Sequence, residues 1–203
     1  MDQSKHQAVF VVDFGGQYNQ LIARRVREAG IYSEIIPYHQ ALAAAKARKP
    51  AALIFTGGPS STLDDNAPKI EDEIFYLGIP VLGICYGAQL MTLTLGGAIE
   101  KPVKREYGKT YITYHDDSIL FDGLDAENIC WMSHTDQIKN VPEGFKVAAH
   151  TADCPVAAME NQALKMFAVQ LHPEVEHTVD GYKIIRNFLY KGCGLKPDWS
   201  SDS

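Results

Sequence analysis

The chain has 203 residues, 46% of them hydrophobic, and a formal net charge of −6 at pH 7. At this length one domain buries roughly 70% of its unfolded surface, and an acidic chain without a basic run is not expected to bind nucleic acid. No apolar stretch approaches the ~18–20 residues of a membrane span and residues 1–6 lack a signal-peptide core, which predicts a cytoplasmic protein without membrane contact.

The first half of the chain alternates apolar runs with helical patterns. Residues 8–13 are predicted as a buried strand, and residues 17–29 as a helix with an apolar stripe. Further strands are predicted near 32–36, 52–56 and 80–84, and further helices near 40–48, 68–77 and 86–96. This alternation favours a parallel sheet that is covered by helices on both faces.

From Val103 onward the pattern changes to short strands joined by turns. These strands are predicted at 111–114, 129–132, 145–150 and 156–160. A hairpin at 161–165 leads into the strand before His172, and residues 181–190 predict a final helix. The predicted fold is three-layer α/β, with a mostly parallel central sheet, helices on both faces and antiparallel strands added in the C-terminal half.

A buried strand at residues 79–84 turns at Cys85 directly into a helix. Gly83 and Gly87 flank the cysteine at two residues on either side, which is the spacing of a nucleophile elbow. A thiol in the first turn of a helix also lies at the positive end of the helix dipole, which favours a thiolate. Because most cysteines are small buried hydrophobes, a nucleophile is indicated only if a base and an oxyanion site accompany Cys85.

The base is predicted at His172, which follows an apolar strand at 166–171. Positions two apart in extended backbone share a face, so Glu174 can accept the ring N–H of His172 and fix its tautomer. Such a cysteine, histidine and carboxylate form a triad that is recognised by role. The alternative is an ordinary strand-end histidine in a surface turn.

An oxyanion site is predicted where the strand at 52–56 runs into a glycine pair. The N–H of Gly58 could pair with the N–H of Tyr86, which directly follows the thiol, to bind an oxygen that becomes negative. A plain turn is one alternative. Another is the pyrophosphate loop of ATP pyrophosphatases, which is disfavoured because that loop requires Asp where this chain has Ser60.

Three segments together resemble the signatures of class I (triad) glutamine amidotransferases: Gly-Ile-Cys-Tyr-Gly-Ala-Gln at 83–89, Thr-Gly-Gly-Pro at 56–59 and His-Pro-Glu at 172–174. Within that family, two further segments resemble the glutaminase domains of GMP synthetases. These are Val-Asp-Phe-Gly-Gly-Gln-Tyr at 12–18 and Trp-Met-Ser-His-Thr-Asp at 131–136. The resemblance extends over essentially the whole chain.

The resemblance implies three sets of site residues. The implied catalytic residues are Cys85 as nucleophile, His172 as general base and acid, and Glu174 as its orienting carboxylate. The implied oxyanion donors are the backbone N–H groups of Gly58 and Tyr86. The implied substrate-binding residues are Gln89, one helical turn beyond the nucleophile, with Ser133 and His134. No metal ligand is implied.

The implied reaction is the hydrolysis of glutamine to glutamate and ammonia through a cysteine thioester, which supplies ammonia for the amination of XMP to GMP. The implied partner is the ATP-pyrophosphatase domain of GMP synthetase, in cis or in trans. ATP and Mg²⁺ are expected only in that domain, and no cofactor is expected in this one. Tyr18, Arg24 and Asp136 are candidates for the interdomain face.

The predicted glutamine amidotransferase domain spans residues 1–192, and residues 193–203 resemble the start of a linker to the synthetase domain. The alternative for residues 195–203 is a disordered tail. The four cysteines show no C-x-x-C spacing, so neither a disulfide framework nor a zinc site is predicted, and Cys130 and Cys154 are expected in the core.

Two other functions remain open from the sequence. The chain could be the glutaminase subunit of another synthase, such as anthranilate or aminodeoxychorismate synthase. It could also be a catalytically silent regulatory module on the same scaffold, although an intact triad argues against that.

Overall fold

A computed structural model describes residues 7–58 and 61–201. The strands, in chain order, are β1 (Ala8–Asp13), β2 (Tyr32–Pro37), β3 (Ala52–Phe55), β4 (Val81–Ile84), β5 (Ala98–Glu100), β6 (Tyr107–Tyr114), β7 (Glu127–Ser133), β8 (Gln137–Asn140), β9 (Lys146–Thr151), β10 (Ala158–Asn161) and β11 (Met166–Val169). The α-helices are α1 (Asn19–Glu28), α2 (Ala41–Arg48), α3 (Tyr86–Thr94) and α4 (Gly181–Asn187). Short 3-10 helices lie at Tyr38–Gln40 and Asp72–Tyr76, and a π-helix at Phe188–Gly192 extends α4.

Nine of these strands form one sheet, in the order β2-β1-β3-β4-β11-β10-β9-β6-β7. The first five strands in this order pair in parallel. The strands from β11 to β7 pair antiparallel, and β5 and β8 form a separate antiparallel pair. The prediction of a parallel sheet with antiparallel strands added by the second half of the chain is confirmed.

Alternation along β1 divides the core into two layers. Val9 and Val11 face a cluster that includes side chains of α1 and α4, such as Ile22 and Ile184. The intervening residues of β1 face a second cluster that includes Ala41 of α2 and side chains of α3. Successive side chains of a strand point to opposite faces, so each face of the sheet is covered by its own helices. The predicted three-layer architecture is therefore confirmed.

One predicted helix is wrong. Residues 68–77 were expected to form an α-helix, but only the five residues Asp72–Tyr76 are helical, in a 3-10 turn. The hydroxyl of Tyr86 donates a hydrogen bond to the carbonyl of Pro68. An α-helix starting at Pro68 would use that carbonyl for the N–H of Asp72. The Tyr86 hydroxyl of α3 therefore takes the place of the first hydrogen bond of the predicted helix. The local pattern of apolar residues does not reveal such a contact.

The C-terminal segment packs against Gln7 and against the loop that follows α1. The N–H groups of Asp198 and Trp199 both donate to the carbonyl of Gly30, each at 3.0 Å. The side chain of Gln7 donates to the carbonyl of Lys196 at 2.9 Å. The alternative of a disordered tail is therefore wrong for residues 196–199, whereas residues 202–203 lie outside the described part of the chain.

The helices and the cysteines can be compared with what the composition predicts. Within residues 7–58 and 61–201, no helix has both the length and the apolar character that crossing a membrane would require.

All four cysteines are free thiols. Cys130 and Cys154 are fully buried, as predicted, and burial raises the pKa of each to about 12.

Candidate active site

Three neighbouring parallel strands bring the predicted site residues to one edge of the sheet. Phe55 of β3 lies opposite Gly83 of β4, and Ile84 of β4 lies opposite Val169 of β11. Because parallel strands end at the same edge, the segments that follow them meet there. Those segments carry Gly58, Cys85 and His172, which are far apart in sequence.

Cys85 occupies a sharp corner between β4 and α3. Its backbone has φ 54° and ψ −105°, in a region that non-glycine residues rarely adopt. The N–H of Cys85 donates to the carbonyl of Val169 at 2.8 Å, and its own carbonyl accepts the N–H of Gln89 at 3.1 Å. The corner is therefore held by the neighbouring strand on one side and by the helix on the other, as a nucleophile elbow requires.

The two glycines of the elbow are required by close backbone contacts. A Cβ atom on Gly83 would lie 2.7 Å from the carbonyl oxygen of Gly87, and a Cβ atom on Gly87 would lie 2.4 Å from the carbonyl oxygen of Phe55. Real Cβ atoms do not approach backbone oxygens this closely. The Gly83 and Gly87 spacing predicted from the sequence thus has a steric cause on both sides of the cysteine.

Gly87→Ala is expected to lower the free energy of unfolding by about 1–3 kcal/mol, because the added methyl group must displace backbone of β3. Without that clash, alanine in a helix would instead stabilise by up to ~1 kcal/mol. Gly57→Ala is the matched control, since its Cβ would meet only the ring of His172 at an ordinary 3.6 Å. Urea denaturation of both variants measures the difference, and equal stabilities would contradict the steric assignment.

His172 and Glu174 form a buried pair. The ring Nδ1 of His172 lies 2.6 Å from Oε1 of Glu174, and the two residues are 6% and 1% exposed. A carboxylate accepts hydrogen bonds, so Nδ1 is the donor and the other ring nitrogen is left for a different partner. The prediction that positions two apart would bring these side chains together is confirmed.

Competing effects set the pKa of His172. Burial lowers the pKa. The negative charge of Glu174 and hydrogen bonds with Cys85 and Glu174 raise it and outweigh burial, so the pKa of His172 lies well above its usual value. The backbone around the pair is also fixed. The carbonyl of His172 accepts the Thr178 hydroxyl at 2.6 Å, and the carbonyl of Glu174 accepts Nε of Arg25 at 3.1 Å.

A cavity of about 240 Å³ opens beside the thiol. All five predicted oxyanion and substrate residues line it together with Cys85, namely Gly58, Tyr86, Gln89, Ser133 and His134. Tyr107 and Thr135 also line it and had not been predicted as site residues. Thr135 lies within the segment at 131–136 that carries the resemblance, whereas Tyr107 lies in none of the motifs. A second cavity of about 90 Å³ lies against Cys85, His172 and Glu174 and reaches Gln17 and Tyr18.

The Gly57–Gly58 peptide lies against the loop that follows β1. A Cβ atom on Gly16 would be 2.3 Å from the carbonyl oxygen of Gly57, so this carbonyl points toward Gly16. In a trans peptide the C=O and N–H groups point in opposite directions, and the N–H of Gly58 therefore points away from Gly16. Pro59, which completes the predicted Thr-Gly-Gly-Pro motif, lies outside the described residues, as does Ser60.

The segment after β7 closes the wall of the larger cavity. The carbonyl of Ser133 lies 3.5 Å from Sγ of Cys85. The carbonyl of Asp136 accepts Nε2 of Gln89 at 2.9 Å and lies 2.8 Å from Nδ1 of His134. Both ring nitrogens of His134 are thus directed away from the cavity, one toward Asp136 and the other toward Glu106.

The three residues expected at an interdomain face differ in exposure. Arg24 is exposed and Tyr18 is half-buried, with its ring packed edge-on against that of His172 at 5.6 Å between centroids. Asp136 is only 1% exposed, and its carboxylate accepts the hydroxyl of Ser61. The expectation for Asp136 is therefore wrong, because its backbone and side chain are both used inside the domain.

Comparison with known families identifies the chain. The model of the glutamine amidotransferase class-I family matches residues 10–191. The chain belongs to the class-I glutamine amidotransferase family. This confirms the resemblance that the three sequence signatures indicated.

Similar members of the glutamine amidotransferase family include two bacterial proteins named GMP synthase [glutamine-hydrolyzing]. The protein from Clostridium perfringens is 57% identical over 195 residues, which cover 96% of this chain and 38% of that protein. The protein from Acetivibrio thermocellus is 54% identical over 198 residues, which cover 98% of this chain and 39% of that protein. The chain therefore spans about two fifths of the length of these relatives.

Solved structures of this family share the fold. A candidate GMP synthase subunit from Thermoplasma acidophilum superposes with a TM-score of 0.79 at 33% identity, covering 93% of this chain and 94% of that one. A glutamine amidotransferase from Thermotoga maritima has a TM-score of 0.73 at 15% identity, covering 94% of this chain and 99% of that one. At the lower identity the similarity shows only the architecture.

Proposed function

We propose that this chain hydrolyses glutamine to glutamate and ammonia, and that the ammonia is used to aminate XMP to GMP. The observation that carries the proposal is the position of the Cys85 thiol, at an elbow beside a histidine whose Nδ1 lies 2.6 Å from a buried carboxylate. The relatives named GMP synthase [glutamine-hydrolyzing] support the choice of substrate and product.

In the first half of the proposed reaction, sulfur of Cys85 attacks the carboxamide carbon of glutamine while its proton passes to Nε2 of His172. The carbonyl electrons move to the oxygen, which the N–H groups of Gly58 and Tyr86 stabilise. The C–N bond then breaks as His172 returns its proton to nitrogen, which leaves as ammonia. The raised pKa of His172 suits the first transfer, since the ring readily holds the proton.

In the second half, water attacks the γ-glutamyl thioester and gives one proton to His172. The C–S bond breaks, the proton returns to sulfur, and glutamate leaves. Glu174 accepts the Nδ1–H of His172 throughout, which directs Nε2 toward the thiol. Gln89, with the backbone of Ser133 and His134, holds the amino-acid end of the substrate in the larger cavity.

The ammonia requires a second active site. We assign residues 1–192 to the glutaminase domain and residues 193–203 to the start of a connection to an ATP-pyrophosphatase domain. The support is that the relatives are more than twice as long as the matched region. ATP and Mg²⁺ then act in that other domain, and this one needs only glutamine and water.

An electrophilic glutamine analogue tests the proposal directly. A diazoketone analogue is expected to add once per chain at Cys85, with excess glutamine slowing the reaction, and intact-protein and peptide mass spectrometry locate the adduct. Cys193, the half-buried thiol, is an internal control that stays unmodified. The proposal is refuted if Cys85 stays unlabelled or if glutamine gives no protection.

A further inference from the structure

A buried polar cluster lies behind the wall of the larger cavity. It consists of Glu106, His134 and Cys154, which are 8%, 4% and 0% exposed, with one donor or acceptor atom of each within 4.8 Å of the others. None of these groups takes part in the proposed proton transfers. Burying them together is costly unless each polar atom has a partner, so the cluster requires an explanation.

The tautomer of His134 follows from its contacts. Nδ1 lies 2.8 Å from the carbonyl oxygen of Asp136, which can only accept, so Nδ1 carries the hydrogen. Burial lowers the pKa of His134, which keeps the ring neutral. Nε2 then carries no hydrogen and can only accept a hydrogen bond. Within the described residues it has no hydrogen-bond partner, and it faces Oε1 of Glu106 at 4.0 Å.

Glu106 can supply the missing hydrogen if it is an acid. Both of its carboxyl oxygens lie 3.0 Å from the hydroxyl of Thr151, which has a single hydrogen and can donate to only one of them. The other oxygen is therefore free to carry a proton. Burial raises the pKa of Glu106, and Asp153 raises it further against the lowering effects of Thr151 and Lys104.

On the basis of the proposed function, we infer that Glu106 is a positioning residue, a buried carboxylic acid that donates a hydrogen bond to Nε2 of His134. The contact closes by an approach of about 1 Å to ordinary hydrogen-bond length. It fixes the ring of His134 and with it residues 133–136. That segment places the Ser133 carbonyl beside the thiol and the Asp136 carbonyl on Gln89, so Glu106 acts on glutamine binding from outside the cavity.

Two variants of similar size distinguish a protonated Glu106 from an ionised one. Glu106→Gln keeps a donor for Nε2 and an acceptor for Thr151. The KM for glutamine, and the concentration of the diazoketone analogue that half-saturates labelling of Cys85, are therefore expected within about twofold of wild type. Glu106→Leu leaves Nε2 buried and unpaired, so both constants are expected to rise about tenfold with a smaller change in kcat. If Glu106→Gln is as impaired as Glu106→Leu, the group acts as an anion and the inference is wrong.

The pH dependence gives a readout that a merely structural role would not change. The titratable groups around Glu106 are His134, Cys130, Cys154, Asp153 and Lys104. Because the acid form is the donor, the wild-type half-saturating concentration is expected to rise as pH rises through the raised pKa of Glu106. Glu106→Gln has no such proton, so its half-saturating concentration divided by that of the wild type is expected to fall over the same pH range. A ratio that does not change with pH would overturn the inference.

Measurements on the wild-type chain do not depend on how the variants fold. Histidine ¹⁵N shifts are expected to show His134 as the neutral Nδ1–H tautomer, whereas two protonated nitrogens would indicate an ion pair and refute the inference. An equimolar bound zinc ion in elemental analysis would also refute it, by giving Nε2 a different partner. Failure of the proposed function is distinguishable, since the wild-type Cys85 would then not be labelled at all.

Discussion

Cys85→Ala is expected to lower glutamine hydrolysis by on the order of 10⁴–10⁶-fold. The reason is that the remaining groups have no atom with which to form the thioester, and His172 and Glu174 cannot act on glutamine as a unit without the nucleophile. The release of glutamate and ammonia by the purified chain measures the loss. Activity within tenfold of wild type would mean that Cys85 is not the nucleophile.

The same substitution should have little effect on the fold. Alanine can keep the unusual backbone conformation of the corner at a similar cost. The hydrogen bond between the thiol and the Ser133 carbonyl, with 3.5 Å between sulfur and oxygen, is weak because a thiol is a weak donor. Thermal unfolding of Cys85→Ala is therefore expected within a few degrees of wild type. Cys193→Ala is the matched control for removal of a thiol, because Cys193 lies outside both active-site cavities.

Local patterns predicted the parts of the site that local chemistry determines. The glycines two residues on either side of Cys85 predicted the elbow, since the close contacts that exclude a Cβ lie within or beside that turn. The alternation of extended backbone predicted the pairing of His172 with Glu174. The meeting of these two segments followed from a parallel sheet, whose neighbouring strands end at one edge.

Contacts between distant segments were not predictable in the same way. Asp136 was a candidate for the interdomain face, but its carbonyl accepts hydrogen bonds from both Gln89 and His134 inside the domain. Glu106 gave no signal at all, since a lone acid before a tyrosine is usually exposed. Its neighbour Thr151 is 45 residues away, in strand β9, which pairs with β6.

Glu174→Gln is expected to lower the rate of glutamine hydrolysis by about 10³–10⁴-fold, although the side chain keeps its size. The amide can present its NH₂ group to Nδ1 of His172, which moves the ring hydrogen to Nε2. That nitrogen then faces the thiol as a donor and cannot accept its proton. Glu176→Gln makes the same chemical change at an exposed carboxylate two residues away and is expected to leave the rate unchanged.

The pH dependence separates the loss of charge at Glu174 from a loss of packing. In the wild type the charge of Glu174 helps to hold the pKa of His172 well above its usual value. Removing that charge lowers the His172 pKa, so the acid limb of the pH–rate profile, measured as kcat/KM, is expected to move to lower pH in Glu174→Gln. An unshifted limb with a reduced plateau would mean that the carboxylate only fills space, and Glu174 would then lose its proposed role as the group that orients His172.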